Sequence, residues 1–225
     1  METSLPAISP GNDANTDHGA AQVAASMLRG SVGFAIVSII GFSVWAFLAP
    51  WLHRVVGGFA LFPACLLAFL GSAGLLLFPL VSGPNRFWRF YKLFIPAYCA
   101  YAAAWCVAWF AFRFGLGEWL GSFLGSIAFV AVVGLGLGNF SGFIKASAVL
   151  FICHSAGYFL GGEFMGSIVR ISGPASLSKP ALALVGKLGW GAIYGGGFGA
   201  GIGYVFHCFQ SPAPPPRPRN LYDNN

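Results

Sequence analysis

Long uncharged apolar runs, separated by short polar segments, dominate the chain. Between Arg29 and Arg86, only His53 and Arg54 interrupt such a run. A helix needs about 20 apolar residues to cross the hydrocarbon core of a bilayer, so this stretch is too long for one span and suits two. We place the turn between these two spans at Pro50 and the His53–Arg54 pair. Continuous apolar runs in lipid must satisfy their backbone hydrogen bonds internally, which favours helices.

The pattern as a whole predicts an all-α fold, a polytopic transmembrane helical bundle of about six spans. The spans are predicted over about residues 31–49, 56–81, 91–114, 119–137, 142–162 and 184–209. The longest predicted loop, over residues 163–183, contains glycine and proline and either lies on the outer surface, as we favour, or dips into the membrane.

These assignments divide the chain into three parts. Residues 1–28 are predicted to be a polar, disordered N-terminal tail, and residues 29–209 a six-helix transmembrane domain. Residues 210–225 carry five prolines, which cannot continue a helix, and are predicted to form a solvated C-terminal tail.

Composition narrows the class of protein. Of the 225 residues, 57% are hydrophobic and only 8% are charged, whereas soluble domains average roughly 25% charge. This excludes an ordinary soluble domain and an acidic disordered chain. The net charge of +6 suits anionic lipid headgroups. The predicted partner is therefore the lipid bilayer, and binding to a nucleic acid is not predicted. We expect a multi-pass protein of the cell membrane.

The distribution of Lys and Arg predicts the orientation. With six spans, seven of the twelve cations fall on the side that holds both termini and five on the other. The positive-inside tendency therefore places both termini in the cytoplasm. The densest cationic segment, Asn85–Lys92, also contains aromatic side chains and is predicted to be an interfacial anchor rather than a ligand site.

Small residues recur at intervals of four in two predicted spans. Helices in lipid associate by close approach at small residues, and residues four apart share one helix face. We therefore predict packing grooves, and through them a homo-oligomer or a membrane partner subunit. The groove residues are Gly117, Gly121 and Gly125 in the fourth span and Gly191, Gly195, Gly199 and Gly203 in the sixth.

Two further patterns leave alternatives open. The three consecutive glycines Gly195–Gly197 either serve packing, as we favour, or break the helix to form a transporter-like site. In the third span, alanines follow one helical face and an aromatic ridge runs one residue on. We expect the alanine face to point inward and the ridge to face lipid or line a pocket. The ridge consists of Tyr98, Tyr101, Trp105, Trp109 and Phe112.

Polar side chains inside a membrane are costly and are therefore functional candidates. The candidates here are His154, Lys145, Asn139, Ser141 and His207. His154, near the centre of the fifth span, is interpreted as a neutral histidine bonded to a neighbouring helix, with a proton-relay or substrate-binding role as the alternative. A haem shared with His207 is disfavoured, because about 13 Å of helix separates their depths. The sequence predicts no metal site and identifies no cofactor.

One segment resembles a known family locally. His154–Gly161 fits the histidine motif H-x-x-G-x-x-x-G of rhomboid proteases, which would imply a histidine base acting on a serine nucleophile. The family's nucleophile motif G-x-S-G is matched only in part by Asn139–Gly142, which lacks the first glycine. Ser141 and His154 also lie thirteen residues apart on one segment, about 20 Å along a helix, too far to hydrogen-bond.

The sequence thus supports three hypotheses for function. The first is a small permease or channel-like protein for a small solute, and the second is a non-catalytic membrane subunit or scaffold. The third is an intramembrane enzyme, and a non-enzymatic function is favoured. A polar cavity reaching His154 would favour transport, and a fully packed interior would favour the subunit. A serine or carboxylate within about 3 Å of His154 would favour the enzyme.

Overall fold

The structure is a computed structural model that describes residues 13–170 and 178–210. Its long helices are α1 (Asp13–Ser43), α3 (Leu61–Leu77), α4 (Arg86–Phe112), α5 (Leu116–Leu137), α6 (Phe143–Arg170) and α7 (Lys179–Gln210). A π-helical turn, Val44–Leu48, joins α1 to the short helix α2 (Ala49–Val55). Two 3₁₀ turns, Gly58–Ala60 and Phe78–Leu80, flank α3.

The predicted all-α transmembrane bundle is confirmed. In the part of the chain that the structure describes, five helical segments are long and apolar enough to cross a membrane: His18–Val55, Gly58–Leu80, Arg86–Phe112, Leu116–Leu137 and Phe143–Arg170. The sixth long helix, α7, has 32 residues and is not among these five, because its many glycines contribute almost no apolar surface. It runs between α1 and α6, where neighbouring helices cover much of its surface.

The predicted turn between the first two spans was wrong. Pro50, His53 and Arg54 all lie within α2. The chain reverses two residues after the end of this helix, at Gly57 (φ 96°). Proline lacks an N–H and disrupts the regular helical ladder. The π-helical turn directly before Pro50 adjusts this ladder, so the helix continues to Val55.

Two other predicted boundaries also differ from the structure. Helix α1 begins at Asp13, so residues 13–28 of the predicted tail are helical. Helix α6 continues to Arg170 and α7 begins at Lys179, so much of the predicted loop over 163–183 is helical too. A helix satisfies its own backbone hydrogen bonds, and therefore it need not end where the apolar run ends. Residues 1–12, 171–177 and 211–225 lie outside the described residues.

Helix α7 meets its two neighbours through glycines on different faces. A Cβ atom added at Gly195 would lie 2.5 Å from the carbonyl oxygen of Phe34, and one at Gly199 would overlap the carbonyl oxygen of Gly30. Gly197 lies against α6, where an added Cβ would be 2.8 Å from the Cα of Gly157. Helix α7 is continuous through Gly195–Gly197, so the structure does not show the broken helix that was the open alternative.

The remaining predicted groove glycines of α7 also lie against α1. An added Cβ at Gly191 would be 2.9 Å from the ring of Phe42, and one at Gly203 would overlap the carbonyl oxygen of Ser26. Backbone therefore faces backbone or a ring edge along the length of α1, and larger side chains at these positions would separate the two helices.

Helices α4 and α5 meet through the groove glycines of α5. An added Cβ at Gly117 would be 3.0 Å from the carbonyl oxygen of Ala108. Gly121 lies against the Trp105 ring at 2.9 Å and Gly125 against the Tyr101 ring at 2.7 Å, again measured from an added Cβ.

The alanine face and the aromatic ridge of α4 both turn partly inward. Ala97 and Ala108 are buried, and so are Tyr98 and Tyr101 of the ridge. The ridge becomes exposed only at its end, where Phe112 is 55% exposed.

The turns at residues 81–85 and 138–142 meet the end of α7 at one end of the bundle, which we call the basic end. The Gln210 side chain donates from Nε2 to the Leu80 carbonyl at 2.9 Å and accepts from the Ser82 backbone N–H at 2.7 Å. The Asn139 Nδ2 donates to the Phe209 carbonyl at 3.0 Å. These bonds connect both turns to α7.

Candidate functional site

A cleft of about 570 Å³ opens between the first half of α3 and the second half of α4. Residues of α1, α6 and α7 close its back wall. We call it the aromatic cleft, and it is lined by Phe42, Phe62, Pro63, Cys65, Leu66, Phe69, Tyr98, Tyr101, Ala102, Trp105, Cys106, Tyr158 and Tyr194. Its volume is in the range typical of small-molecule sites, about 300–1,000 Å³.

The wall of the aromatic cleft is apolar. The described residues that line it include no charged side chain, and four tyrosines supply its hydroxyl groups. The stacked rings of Phe69 and Tyr98, with centroids 5.9 Å apart, join α3 to α4 at its base. Phe62 lies at the rim of the cleft, and 63% of its side chain is exposed on the outer surface of the bundle. Because α3 and α4 both lie in segments apolar enough to cross a membrane, we interpret this opening as facing the bilayer.

His154 lies directly behind this wall and is fully buried. Its imidazole is enclosed by the rings of Phe198, Tyr101, Tyr194 and Tyr158, at centroid distances of 5.0, 5.3, 5.6 and 6.1 Å. Gly157 and Gly197 let α6 approach α7 closely at this level, which brings these aromatic side chains around the imidazole.

The His154 ring is held by one hydrogen bond. Its Nε2 lies 2.5 Å from the hydroxyl of Tyr101, which in turn lies 3.4 Å from the hydroxyl of Tyr194. The Nδ1 atom is buried and has no hydrogen-bond partner among the described residues. Tyr101 and Tyr194 both line the cleft, and they therefore separate His154 from it while linking it to the wall.

A second polar link leads from the cleft toward the end opposite the basic end. The Tyr158 hydroxyl donates to Glu118 Oε1 at 3.1 Å. The other oxygen of this carboxylate accepts from the backbone N–H of Gly115 at 3.2 Å, at the start of α5. Tyr158 thus connects the cleft wall with one of the few acidic groups of the bundle.

The other four predicted polar residues do not join His154. Asn139 bridges Phe209 and the backbone N–H of Ser141, which lies 2.9 Å from its Oδ1. Ser141 and Lys145 are exposed, and His207 is half-buried in the last turn of α7. All four lie toward the basic end, so the five predicted residues fall into two regions rather than one site.

The geometry does not reproduce a rhomboid-type pair. Among the described residues, the His154 side chain bonds to Tyr101, and no serine hydroxyl or carboxylate bonds to it. Ser141 lies just before α6 begins and is exposed, whereas His154 is buried three turns further on. The motif glycines Gly157 and Gly161 instead face Tyr194 and Trp190 of α7.

Sequence reasoning missed most of the cleft. The aromatic ridge indicated Tyr98, Tyr101 and Trp105 as pocket residues, because their spacing puts them on one helical face. Tyr158 follows His154 by four residues, and Tyr194 lies four residues from both Trp190 and Phe198. This helical spacing was a signal for both tyrosines, but it does not show that they meet at one cleft.

Within residues 13–170 and 178–210, no three His, Cys, Asp or Glu side chains lie close enough together to hold a metal ion. No protein-family model, curated protein or solved structure matches this chain. Function must therefore be inferred from the cleft and its surroundings.

Proposed function

We propose that this integral membrane protein binds an apolar small molecule that enters the aromatic cleft from the bilayer. The observation that carries the proposal is the cleft itself, about 570 Å³ in volume, lined by rings and open between α3 and α4. Burying apolar ligand surface against such walls is favourable, and aromatic rings add offset or edge-to-face contacts. This narrows the permease hypothesis to an apolar solute, since a polar solute would find no charged partner among the described wall residues.

The four wall tyrosines give the proposed ligand a polar end. The Tyr101 hydroxyl is fixed by His154, and the Tyr158 hydroxyl is fixed by Glu118. A hydroxyl group whose proton is used in this way can still accept a hydrogen bond, and so it can orient a hydroxyl or N–H group on an otherwise apolar molecule. We therefore favour a ring-bearing molecule with a single polar group over a simple hydrocarbon.

Adjacent alanines on α4 provide a matched test. Ala102 lines the cleft, whereas Ala103 is exposed on the lipid-facing side. The substitution Ala102→Phe adds a phenyl ring to the cleft, and Ala103→Phe adds the same ring outside it. The readout is covalent labelling by an aryl diazirine, an apolar ring compound that partitions into bilayers, followed by mapping of the labelled peptides.

We expect the wild-type protein and Ala103→Phe to be labelled at the wall residues of α3 and α4, and Ala102→Phe to lose most of that labelling. Apolar molecules that co-purify with the protein, identified by mass spectrometry, should be depleted in the same variant. Labelling spread evenly over all lipid-facing helix surfaces and unchanged by Ala102→Phe would reject the proposal and favour the scaffold hypothesis.

A further inference from the structure

A second cavity, of about 400 Å³, lies at the basic end and is chemically unlike the aromatic cleft. We call it the basic-end pocket. It is formed by the early part of α1, the 3₁₀ turn after α3, and the last turn of α7. Its lining residues are Gln22, Ala25, Ser26, Arg29, Pro79, Leu80, Ser82, Phe206, His207 and Gln210.

Hydrogen bonds connect all three elements of the pocket. The Ser26 hydroxyl donates to the Gly203 carbonyl at 2.9 Å, which joins α1 to α7. The Gln210 side chain bonds to both Leu80 and Ser82, which joins α7 to the turn. Phe206 is fully buried beneath it. The pocket is therefore preorganised, so a ligand would not need to order these elements on binding.

The charge at the pocket is positive, and no acidic side chain of residues 13–170 and 178–210 lies nearby. Arg29 lines it and is exposed, and Arg89 donates from Nη1 to the carbonyl of Ser82 on its rim at 2.7 Å. Glu118 lies at the opposite end of the bundle. Asp17 precedes Arg29 by twelve residues of α1, about 18 Å along the helix axis.

The pocket also lies at the depth expected of lipid headgroups. Arg29 precedes the apolar part of α1, and Trp88, in the first turn of α4, is 66% exposed. Exposed tryptophan and arginine together mark a membrane–water interface. Basic pockets between membrane helices at this level suit anionic headgroups.

We infer that the basic-end pocket binds the phosphate group of an anionic phospholipid. Arg29 supplies the planar guanidinium that can bond bidentately to phosphate oxygens. Arg89 supplies charge at the rim, and its guanidinium carries five N–H donors, of which the bond to Ser82 uses one. The side chain of Gln22, two turns before Arg29 on α1, lines the same pocket and can bond to the glycerol or sugar hydroxyls of the headgroup.

The test compares two arginines at the same end of the full-length protein. Arg29→Gln removes the guanidinium that lines the pocket, whereas Arg86→Gln removes an exposed guanidinium outside it and changes the net charge equally. Binding of phosphatidylglycerol and phosphatidylcholine is measured by native mass spectrometry from mixed micelles at 0.15 M salt, where the Debye length is about 8 Å. Inorganic phosphate and glycerol phosphate are added separately as soluble competitors.

We expect the wild-type protein to prefer phosphatidylglycerol, with at least a tenfold loss of affinity in Arg29→Gln and less than a twofold loss in Arg86→Gln. Tenfold corresponds to about 1.4 kcal/mol, near the lower limit for a hydrogen bond to a charged group. Arg29→Lys keeps the charge but loses the bidentate geometry, so its affinity for phosphatidylglycerol should lie between those of the wild-type protein and Arg29→Gln. Thermal melts without added lipid check that each variant is folded.

Equal losses in Arg29→Gln and Arg86→Gln would overturn the inference, because they would indicate general attraction to a basic surface. Millimolar inorganic phosphate or glycerol phosphate that displaces the lipid would also overturn it, since the pocket would then recognise a soluble anion. Neither outcome bears on the aromatic cleft, which lies in the other half of the bundle.

Discussion

The α1–α7 interface offers two glycines for which the same substitution should have opposite effects. At Gly199, an added Cβ would overlap the carbonyl oxygen of Gly30 and lie 2.6 Å from the Cβ of Phe34. At Gly196, on the same helix, the nearest atom would be the Ser31 hydroxyl oxygen at 3.5 Å, an ordinary contact. Gly199→Ala therefore forces two backbones apart, whereas Gly196→Ala does not.

The expected magnitudes follow from two opposing terms. Alanine favours a helix over glycine by about 1 kcal/mol, and this gain applies to both variants. Overpacking costs about 1–3 kcal/mol, and at Gly199 we expect the upper end because backbone atoms cannot rotate away. Gly196→Ala should raise the free energy of unfolding by up to about 1 kcal/mol, and Gly199→Ala should lower it by about 2 kcal/mol.

The assay is SDS-induced unfolding in dodecyl maltoside micelles, followed by circular dichroism and tryptophan fluorescence. The informative quantity is the difference in the free energy of unfolding between the two variants, which we expect to be about 3 kcal/mol. A Gly199→Ala variant at least as stable as Gly196→Ala would falsify the backbone-to-backbone packing described for these helices.

Two further predictions concern the hydrogen-bond network and the topology. Tyr101→Phe leaves the buried His154 ring without its bond and should lower the free energy of unfolding by about 1–3 kcal/mol, whereas Tyr91→Phe, which loses an exposed bond to a backbone carbonyl, should cost less than about 1 kcal/mol. Equal costs in SDS unfolding would contradict the proposed importance of the buried bond. Cysteines placed at Asn85 and Ser141 should react with an impermeant maleimide from the same side of the membrane, because both turns lie at the basic end. Reaction from opposite sides would contradict the bundle topology.

The helical class of the fold was predictable because lipid leaves the backbone few alternatives. The residues at which the helices begin and end were less predictable. His53 and Arg54 are polar or charged, which predicts a turn, but they occupy the exposed last turn of α2. A side chain at the membrane surface reaches solvent equally well from a helix as from a loop, so polarity alone does not locate the end of a helix.

The candidate site was only partly predictable, for a different reason. His154 was selected because an ionisable group inside a span is rare. Its partner Tyr101 lies 53 residues away, and no local pattern connects the two. The match of His154–Gly161 to a protease motif has a packing explanation, since Gly157 and Gly161 are small where α6 approaches α7. The helix packing in the bundle is what shows that this histidine–glycine spacing serves packing rather than a protease site.

The pairing of α1 with α7 has a consequence for biosynthesis. These are the first and the last helices that the structure describes, so the face of α1 that packs on the α7 glycines stays uncovered until residues 179–210 have left the ribosome. Helix α7 is also rich in glycine, and we expect its insertion to depend more on protein contact than on partitioning into lipid. This face of α1 must therefore wait for α7 at the translocon, and a nascent chain stopped before α7 presents a ready target for membrane quality control.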